Sequence, residues 1–211
     1  VENIAERIEA ERDHLTELDS AIGDADHGGN MARGWAKAAE KARALEDPAA
    51  AAVVKQTGKT LMSEVGGASG PLYGGSLVFA SAEIEDGMTQ ERGDAEVGDQ
   101  TMVDALMPAV HVLKKSIETD GLSPIEALAK AVDAAERGVA FTVPIRAAKG
   151  RASYLGWRSV GHQDPGATST LFILETLLET AQTYIDADDS TVISVDAASP
   201  TASDRVDTEE E

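Results

Sequence analysis

Three carboxylates gather in the stretch Leu18–Trp35, LDSAIGDADHGGNMARGW, ahead of a histidine and two glycines. Asp24 and Asp26 are separated by one residue, so their side chains can converge in a looping backbone. Asp19 can lean over the same loop from the last turn of a predicted helix. Like charges this close are stable only with a cation among them or with a shared proton. An all-oxygen ligand set selects a hard cation, Mg2+, Mn2+ or Ca2+, over zinc or copper.

The residues that follow the aspartates are suited to a phosphate. An EF-hand calcium loop does not fit, because counting from Asp24 its fifth position is Gly28 and its twelfth is Trp35. Magnesium usually shares its coordination with substrate phosphates. Gly28 and Gly29 allow backbone amides to approach a ligand, and a predicted helix from Asn30 directs the positive end of its dipole at the cluster. A solvated acidic turn with an aspartate N-cap explains this segment alone equally well.

A second segment, GGASGPLYGG at Gly66–Gly75, consists mostly of small residues. Such residues permit close approach of backbone N–H groups to a ligand, and tight helix–helix contact is the alternative explanation. The chain has no P-loop, because GKT at Gly58–Thr60 follows Val53 where the motif requires glycine, and it has no G-x-G-x-x-G fingerprint.

A third segment, KGRASYLGWRSVGHQDPGATS at Lys149–Ser169, carries two arginines in a chain of formal net charge -20. The forked guanidinium of Arg151 or Arg158 matches phosphate oxygens in two-point contact, and an ordinary salt bridge is the alternative. Asp164-Pro165 then caps a predicted helix, whose free N–H groups can hold another part of a ligand.

Composition excludes several classes of function. Cysteine is absent, which removes disulfide scaffolds, thiol catalysis and cysteine-bound zinc. With 38 acidic against 18 basic residues the surface would repel nucleic acid. Adaptation to high salt, a halophilic character, is favoured over an acidic surface for a basic partner. We find no apolar run of membrane-spanning length and no basic, apolar leader, so a cytoplasmic location without membrane contact is expected.

The elements that position these segments are all predicted to be helices, because alanine is abundant and aromatic residues make up only 4%. A first helix bears Ile4, Ile8, Leu15 and Leu18 at helical spacing and ends near Gly23. Further helices are predicted over about 30–45, 50–65, 71–84, 101–118, 124–138, 139–152 and 165–184. The result is an all-α bundle of about eight helices over 1–186, followed by an acidic tail over 187–211 that is predicted to be disordered.

The segments together resemble the nucleotide-binding L subunits of dihydroxyacetone kinases. LDSAIGDADHGGNMARG, GGASGPLYG, GDQTMVDALMPAV and GRASYLGWRSVGHQDPGATS occur in that family's order across about Leu18–Leu171. The resemblance implies a barrel of about eight antiparallel amphipathic helices, with ADP held at one end through two magnesium ions.

The resemblance also implies a set of site residues. Asp19, Asp24 and Asp26 would bind the magnesium ions. Nucleotide contacts are implied for His27, Gly28, Gly29, Asn30, Ala68, Ser69, Gly93, Met102, Arg151, Asp164, Pro165 and Gly166. No side-chain nucleophile is expected, and Arg151 would act as a charge stabiliser in metal-assisted transfer. Three carboxylates and a diphosphate bring a charge of about -6, of which two magnesium ions offset four, so two ions are favoured over one.

The implied reaction involves two partners. A phosphohistidine-carrying M subunit of the phosphotransferase system would pass phosphate, through Mg-bound ADP/ATP on this chain, to dihydroxyacetone on a separate K subunit, as part of glycerol metabolism. A homodimer is left open. One alternative is an ATP-dependent kinase subunit with exchangeable nucleotide that acts on another small substrate, such as a fatty-acid kinase relative. Another is a non-enzymatic metal-binding helical module.

Overall fold

The computed structural model describes residues 1–67, 69–78 and 95–195, with the backbone alone over 186–195. Seven α-helices lie within these ranges: α1 Glu2–Ala10, α2 Arg12–Ile22, α3 His27–Arg43, α4 Ala50–Glu64, α5 Val103–Glu118, α6 Pro124–Thr142 and α7 Pro165–Val195. A π-helical turn, Gly70–Gly74, follows α4, and a 3-10 segment, Arg151–Ser159, lies between α6 and α7. The described residues contain no strand, and the predicted all-α bundle is confirmed.

Several helix boundaries differ from those predicted. The expected first helix is interrupted at Glu11, and α3 begins at His27 rather than Asn30. The helix predicted over 139–152 is wrong beyond Thr142, because Pro144 cannot continue the helical hydrogen bonding and the residue before a proline is a common helix boundary. The 3-10 segment that follows was not predicted.

Two predicted helices differ in extent from the elements that the structure describes. The helix expected over 71–84 begins as the π-helical turn and continues as α-helix to residue 78, where the described range ends. The last helix, α7, runs past its expected end at Tyr184 to Val195. The disordered tail predicted over 187–211 is therefore wrong for 187–195, which are helical, and it stays a prediction for 196–211, which lie outside the described part.

Alanine allows one side of the bundle to pack closely. Helices α5, α6 and α7 meet through buried small side chains, among them Ala105, Ala131, Ala135 and Ala167. On the other side α1–α4 enclose larger residues, and Met31, Trp35 and Leu61 are fully or nearly fully buried. Close packing of this kind leaves little room for helix displacement, so the ends of the helices hold fixed positions. Among the described helices, none has both the length and the apolar character needed to span a membrane.

Two helices have side-chain caps at their N-termini, and the cap at Asp164 is the one predicted above. Ser123 and Glu126 form a capping box at the start of α6, in which each side chain accepts a hydrogen bond from the other residue's backbone N–H. At the start of α7, the backbone N–H of Ala167 donates to Asp164 Oδ2 at 2.7 Å. The second cap matters for function, because it fixes the start of α7 beside the aspartate cluster.

Candidate functional site

The three aspartates of the opening stretch converge at one end of the bundle. Asp19 comes from the last turn of α2, and Asp24 and Asp26 come from the turn that leads into α3. One carboxylate oxygen from each lies within 4.8 Å of the other two. Asp19 is buried, whereas Asp24 and Asp26 are exposed. This is the convergence that the spacing predicts, with one fixed and two accessible carboxylates.

Asp19 is held in place by the start of α3. The backbone N–H groups of Asp26 and His27 donate to Asp19 Oδ2 at 2.8 and 3.1 Å. Asp26 occupies the N-cap position but makes no side-chain cap bond, so Asp19 caps α3 from the neighbouring helix. A β-carbon at position 23 would stand 2.0 Å from Asp19 Oδ1, which is why glycine is needed there. Asp19 is therefore oriented by backbone atoms before any ligand arrives.

A guanidinium already lies among these carboxylates. Arg151 Nη1 forms an ion pair with Asp24 Oδ2 and lies 3.8 Å from Asp26 Oδ2. The structure thus brings Arg151, which is distant in sequence, to the cluster. This single positive group offsets part of the charge of the three carboxylates, and it marks a position that suits a cation.

His27 links three elements beneath the cluster. It is buried, with Nε2 at 3.0 Å from Ser169 Oγ of α7 and Nδ1 at 3.4 Å from Ser69 Oγ. Burial lowers the pKa of His27, although the charges of Asp19 and Asp26 oppose that change. A neutral imidazole can donate from one nitrogen and accept at the other, which matches two hydroxyl partners. His27 therefore ties the start of α3 to α7 and to the small-residue segment.

The start of α7 forms the second wall of the site. Burial raises the pKa of Asp164 to about 7, helped by the charges of Asp104 and Asp19 and opposed by backbone N–H donors at Ala167 and Gly166. Met102 is buried and lies against Gly166. The predicted residues Asp164–Gly166 and Met102 are therefore neighbours in space.

Two of the predicted glycines have different surroundings. A β-carbon on Gly28 would stand 2.1 Å from the carbonyl oxygen of Arg12, so its small size serves the packing of α3 against α2. The same atom on Gly29 would meet nothing within 4 Å. Asn30 stands one helical turn into α3, where its Oδ1 accepts from Arg33 at 2.8 Å. Ala68 and Gly93, the remaining predicted contacts, lie outside the described residues.

Sequence reasoning missed a buried polar network around the site. The hydroxyl of Tyr73 donates to the carbonyl oxygen of Gly166 at 2.8 Å and contacts Ser169 and Thr170. Gln100 Nε2 lies 2.7–3.2 Å from three carbonyl oxygens, those of Thr142, Ser159 and His162. These contacts span 42 to 97 residues of sequence and leave no local pattern.

One further member of the network did carry a sequence signal. Asp104 is fully buried, and its carboxylate accepts from the backbone N–H groups of Gly98 and Thr101 at 2.6 and 2.8 Å. The spacing Thr101-x-x-Asp104 ahead of an apolar run matches the helix-start pattern of a capping box. Its recognition would have placed the start of α5.

The fold and the site together define a class of protein: a helical domain with three converging carboxylates at one end, beside two helix N-termini and an arginine. Within this class the chain belongs to the DAK2 domain family, whose sequence pattern matches residues 21–179.

Two similar relatives are ADP-binding subunits of dihydroxyacetone kinases. The PEP-dependent dihydroxyacetone kinase ADP-binding subunit DhaL of Escherichia coli is 45% identical over 184 residues, which cover 79% of this chain and 87% of that protein. The PTS-dependent dihydroxyacetone kinase ADP-binding subunit DhaL of Lactococcus lactis is 40% identical over 186 residues, which cover 82% and 91%.

A solved structure agrees with these relatives. The dihydroxyacetone kinase from C. freundii in complex with AMP-PNP and Mg2+ matches 84% of this chain with a TM-score of 0.65 and 26% identity. The chain spans 32% of that longer enzyme.

Proposed function

We propose that this protein is the ADP-binding L subunit of a dihydroxyacetone kinase that draws its phosphate from phosphoenolpyruvate. The observation that carries the proposal is the convergence of Asp19, Asp24 and Asp26 within 4.8 Å at the end of the bundle where Arg151 also lies. The similarity to ADP-binding subunits over most of both chains supports the same assignment.

The residues present fit a magnesium–diphosphate group. The three carboxylates offer only oxygen atoms, which Mg2+ prefers, and Asp24 and Asp26 are exposed and free to reorient. Bound ADP and its cations, two in this proposal, would supply the chemistry by accepting a phosphoryl group from the donor and passing it to the acceptor while its charge is neutralised. Asp19, Asp24 and Asp26 hold the cations. Contacts to the nucleotide would come from the start of α3 (His27 to Asn30), from Ser69 and Met102, and from the start of α7 (Asp164 to Gly166). The family resemblance implies the same role for Ala68 and Gly93.

Arg151 has a separate task in this scheme. Its guanidinium pairs with Asp24 and Asp26 in the structure, and divalent cations on those carboxylates would compete with it. Once released, the arginine can reach phosphate oxygens in two-point contact and offset charge that the cations leave. No side-chain nucleophile is required, because positioning and charge neutralisation account for the catalysis of phosphoryl transfer.

Two other subunits complete the reaction. A phosphohistidine-carrying M subunit is the donor, and a K subunit holds dihydroxyacetone as the acceptor. A role in this reaction would assign the protein to glycerol metabolism and to the cytoplasm. Because ADP is a coenzyme in this mode, it remains bound between turnovers.

A second candidate is a kinase subunit with exchangeable ATP, favoured by the AMP-PNP bound to the longer C. freundii enzyme. The two modes differ in nucleotide retention. Native mass spectrometry after gel filtration is expected to find one ADP and two magnesium ions per chain in the coenzyme mode. Loss of all nucleotide during filtration would favour the exchangeable mode.

The site itself is tested by Asp24→Asn. This change keeps the size of an exposed side chain but removes a cation ligand, so Mg-dependent ADP affinity in calorimetry is expected to fall at least about tenfold while helix content is unchanged. Asp13→Asn is the matched control, since Asp13 is 94% exposed on α2 and lies outside the cluster. Equal ADP affinity in Asp24→Asn and the control would exclude the site.

A further inference from the structure

The most exposed large hydrophobic side chains of the described residues follow Arg151 in the chain. Tyr154, 88% exposed, lies in the 3-10 turns that begin with Arg151, and Trp157, 77% exposed, follows the kink at Gly156 that interrupts them. Side chains three residues apart eclipse in a 3-10 helix, so Tyr154 stands one turn, about 6 Å along the axis, from Arg151. Tryptophan and tyrosine are the residues that most often dominate protein–protein binding energy.

The sequence around these aromatic side chains is positively charged. Residues 143–163 contain four arginines and lysines and no acidic residue, in a chain with 38 acidic and 18 basic residues. Arg146 lies over the Trp157 ring at 5.4 Å. Arg146, Lys149 and Arg158 are exposed and make no ion pair with any residue that the structure describes. We call these five side chains the basic aromatic surface: Arg146, Lys149, Tyr154, Trp157 and Arg158.

The charge of this surface selects among partners. Nucleic acid is disfavoured by the net charge of -20 on the whole chain. Dihydroxyacetone, the proposed acceptor, is uncharged and therefore adds no negative charge to the K subunit that carries it. A phosphorylated donor protein is different, because its phosphoryl group brings a charge of about -2. That charge must arrive within reach of Arg151.

From this complementarity we infer that the basic aromatic surface docks the phosphohistidine-carrying donor in its phosphorylated form; the inference rests on the proposed function. During transfer the donor's nitrogen–phosphorus bond breaks as the phosphorus bonds a terminal oxygen of the bound diphosphate. The donor then carries an unphosphorylated imidazole and has lost the charge that attracted it. The surface therefore binds the loaded donor more tightly than the spent one.

Steady-state transfer with purified partners tests this inference. Trp157→Ala and Lys149→Glu are expected to raise KM for the phosphorylated M subunit at least about tenfold, with kcat and Mg-ADP affinity unchanged. The matched controls are Tyr184→Ala, which removes an aromatic side chain 76% exposed on α7, and Lys130→Glu, which reverses an exposed charge on α6. Both controls are expected to behave as the wild type.

The outcomes separate the inference from the proposed function. An unchanged KM for the phosphorylated M subunit in both surface variants would overturn the inference, as would a rise in KM for the K subunit instead. Equal affinity of the wild type for phosphorylated and unphosphorylated M subunit would overturn it as well. If the wild type binds no Mg-ADP, the proposed function itself fails, and that result is visible before any donor is added.

Discussion

The three aspartates of the proposed cation site differ in how rigidly they are held and in how accessible they are to solvent. Asp19 is buried and already accepts two backbone hydrogen bonds, whereas Asp24 and Asp26 are exposed and lie beside Arg151. Residue type and spacing predict the three aspartates but leave Arg151 and Arg158 open, and the resemblance to the family selects Arg151. The sequence could not predict that Asp19 caps α3, because that contact depends on how α2 meets α3.

At this scale Arg151 can be separated from the fold. The arginine and its partners are about half exposed, so their ion pairs contribute no more than about 1 kcal/mol. Arg151→Ala is expected to lower the transfer rate at least about tenfold, because the fork that contacts phosphate is lost. Parallel urea unfolding and transfer assays measure both effects. A loss of stability as large as the loss of activity would instead assign the arginine a structural role.

Asp164 makes stability depend on pH in a defined direction. Its pKa is raised from 3.8 to about 7 by burial, so the folded protein keeps a proton that the unfolded chain has released. Between about pH 4 and 7 the folded state binds one proton more than the unfolded chain. The free energy of unfolding therefore falls as the pH rises through that window, because ionisation of Asp164 stabilises the unfolded chain. The effect is on the order of 4 kcal/mol.

Asp164→Asn is therefore expected to gain stability relative to the wild type between pH 4 and 8. Chemical denaturation without divalent cation or nucleotide measures the difference. Asp133→Asn, at an exposed position of α6, serves as the control and is expected to show no such trend. Parallel curves for Asp164→Asn and the wild type would contradict the buried, protonated carboxyl group.

Among the elements, the N-termini of α3 and α7 must stay together for the site to exist. His27 joins them through Ser169, and Tyr73 joins the π-helical turn to the first turn of α7. The sequence predicts most helices, because alanine and apolar spacing favour them locally. The break at Glu11 could not be predicted, because neither proline nor glycine occurs there. The 3-10 segment could not be predicted either, because its position depends on tertiary contacts.

Tyr73→Phe tests that junction. The change removes a buried hydroxyl that contacts Gly166, Ser169 and Thr170, and it is expected to cost about 1 kcal/mol of unfolding free energy. Mg-ADP affinity is expected to fall with it, because the first turn of α7 loosens. Tyr184→Phe, which removes an exposed hydroxyl group from α7, is the control. If nucleotide affinity stays at the wild-type value, the junction does not position the site.

Over the whole molecule, the net charge of -20 opposes compactness. Salt shortens the screening length from about 10 Å at 0.1 M to about 3 Å at 1 M, which weakens this self-repulsion. Raising KCl from 0.1 to 1 M is expected to increase the free energy of unfolding, and each kcal/mol of that increase raises the melting temperature by about 2–4 °C. Scanning calorimetry without ligand measures it. A melting temperature that is flat or falls with KCl would contradict adaptation to high salt.

The central claim is that divalent cations join a diphosphate to the three aspartates at the end of the bundle. The most direct measurement is the anomalous scattering of a crystal grown with ADP and Mn2+ in place of Mg2+. The account predicts manganese peaks within coordination distance of Asp19, Asp24 and Asp26 and of the ADP phosphates, with Arg151 moved away from Asp24. Bound ADP with no manganese at these carboxylates would contradict it.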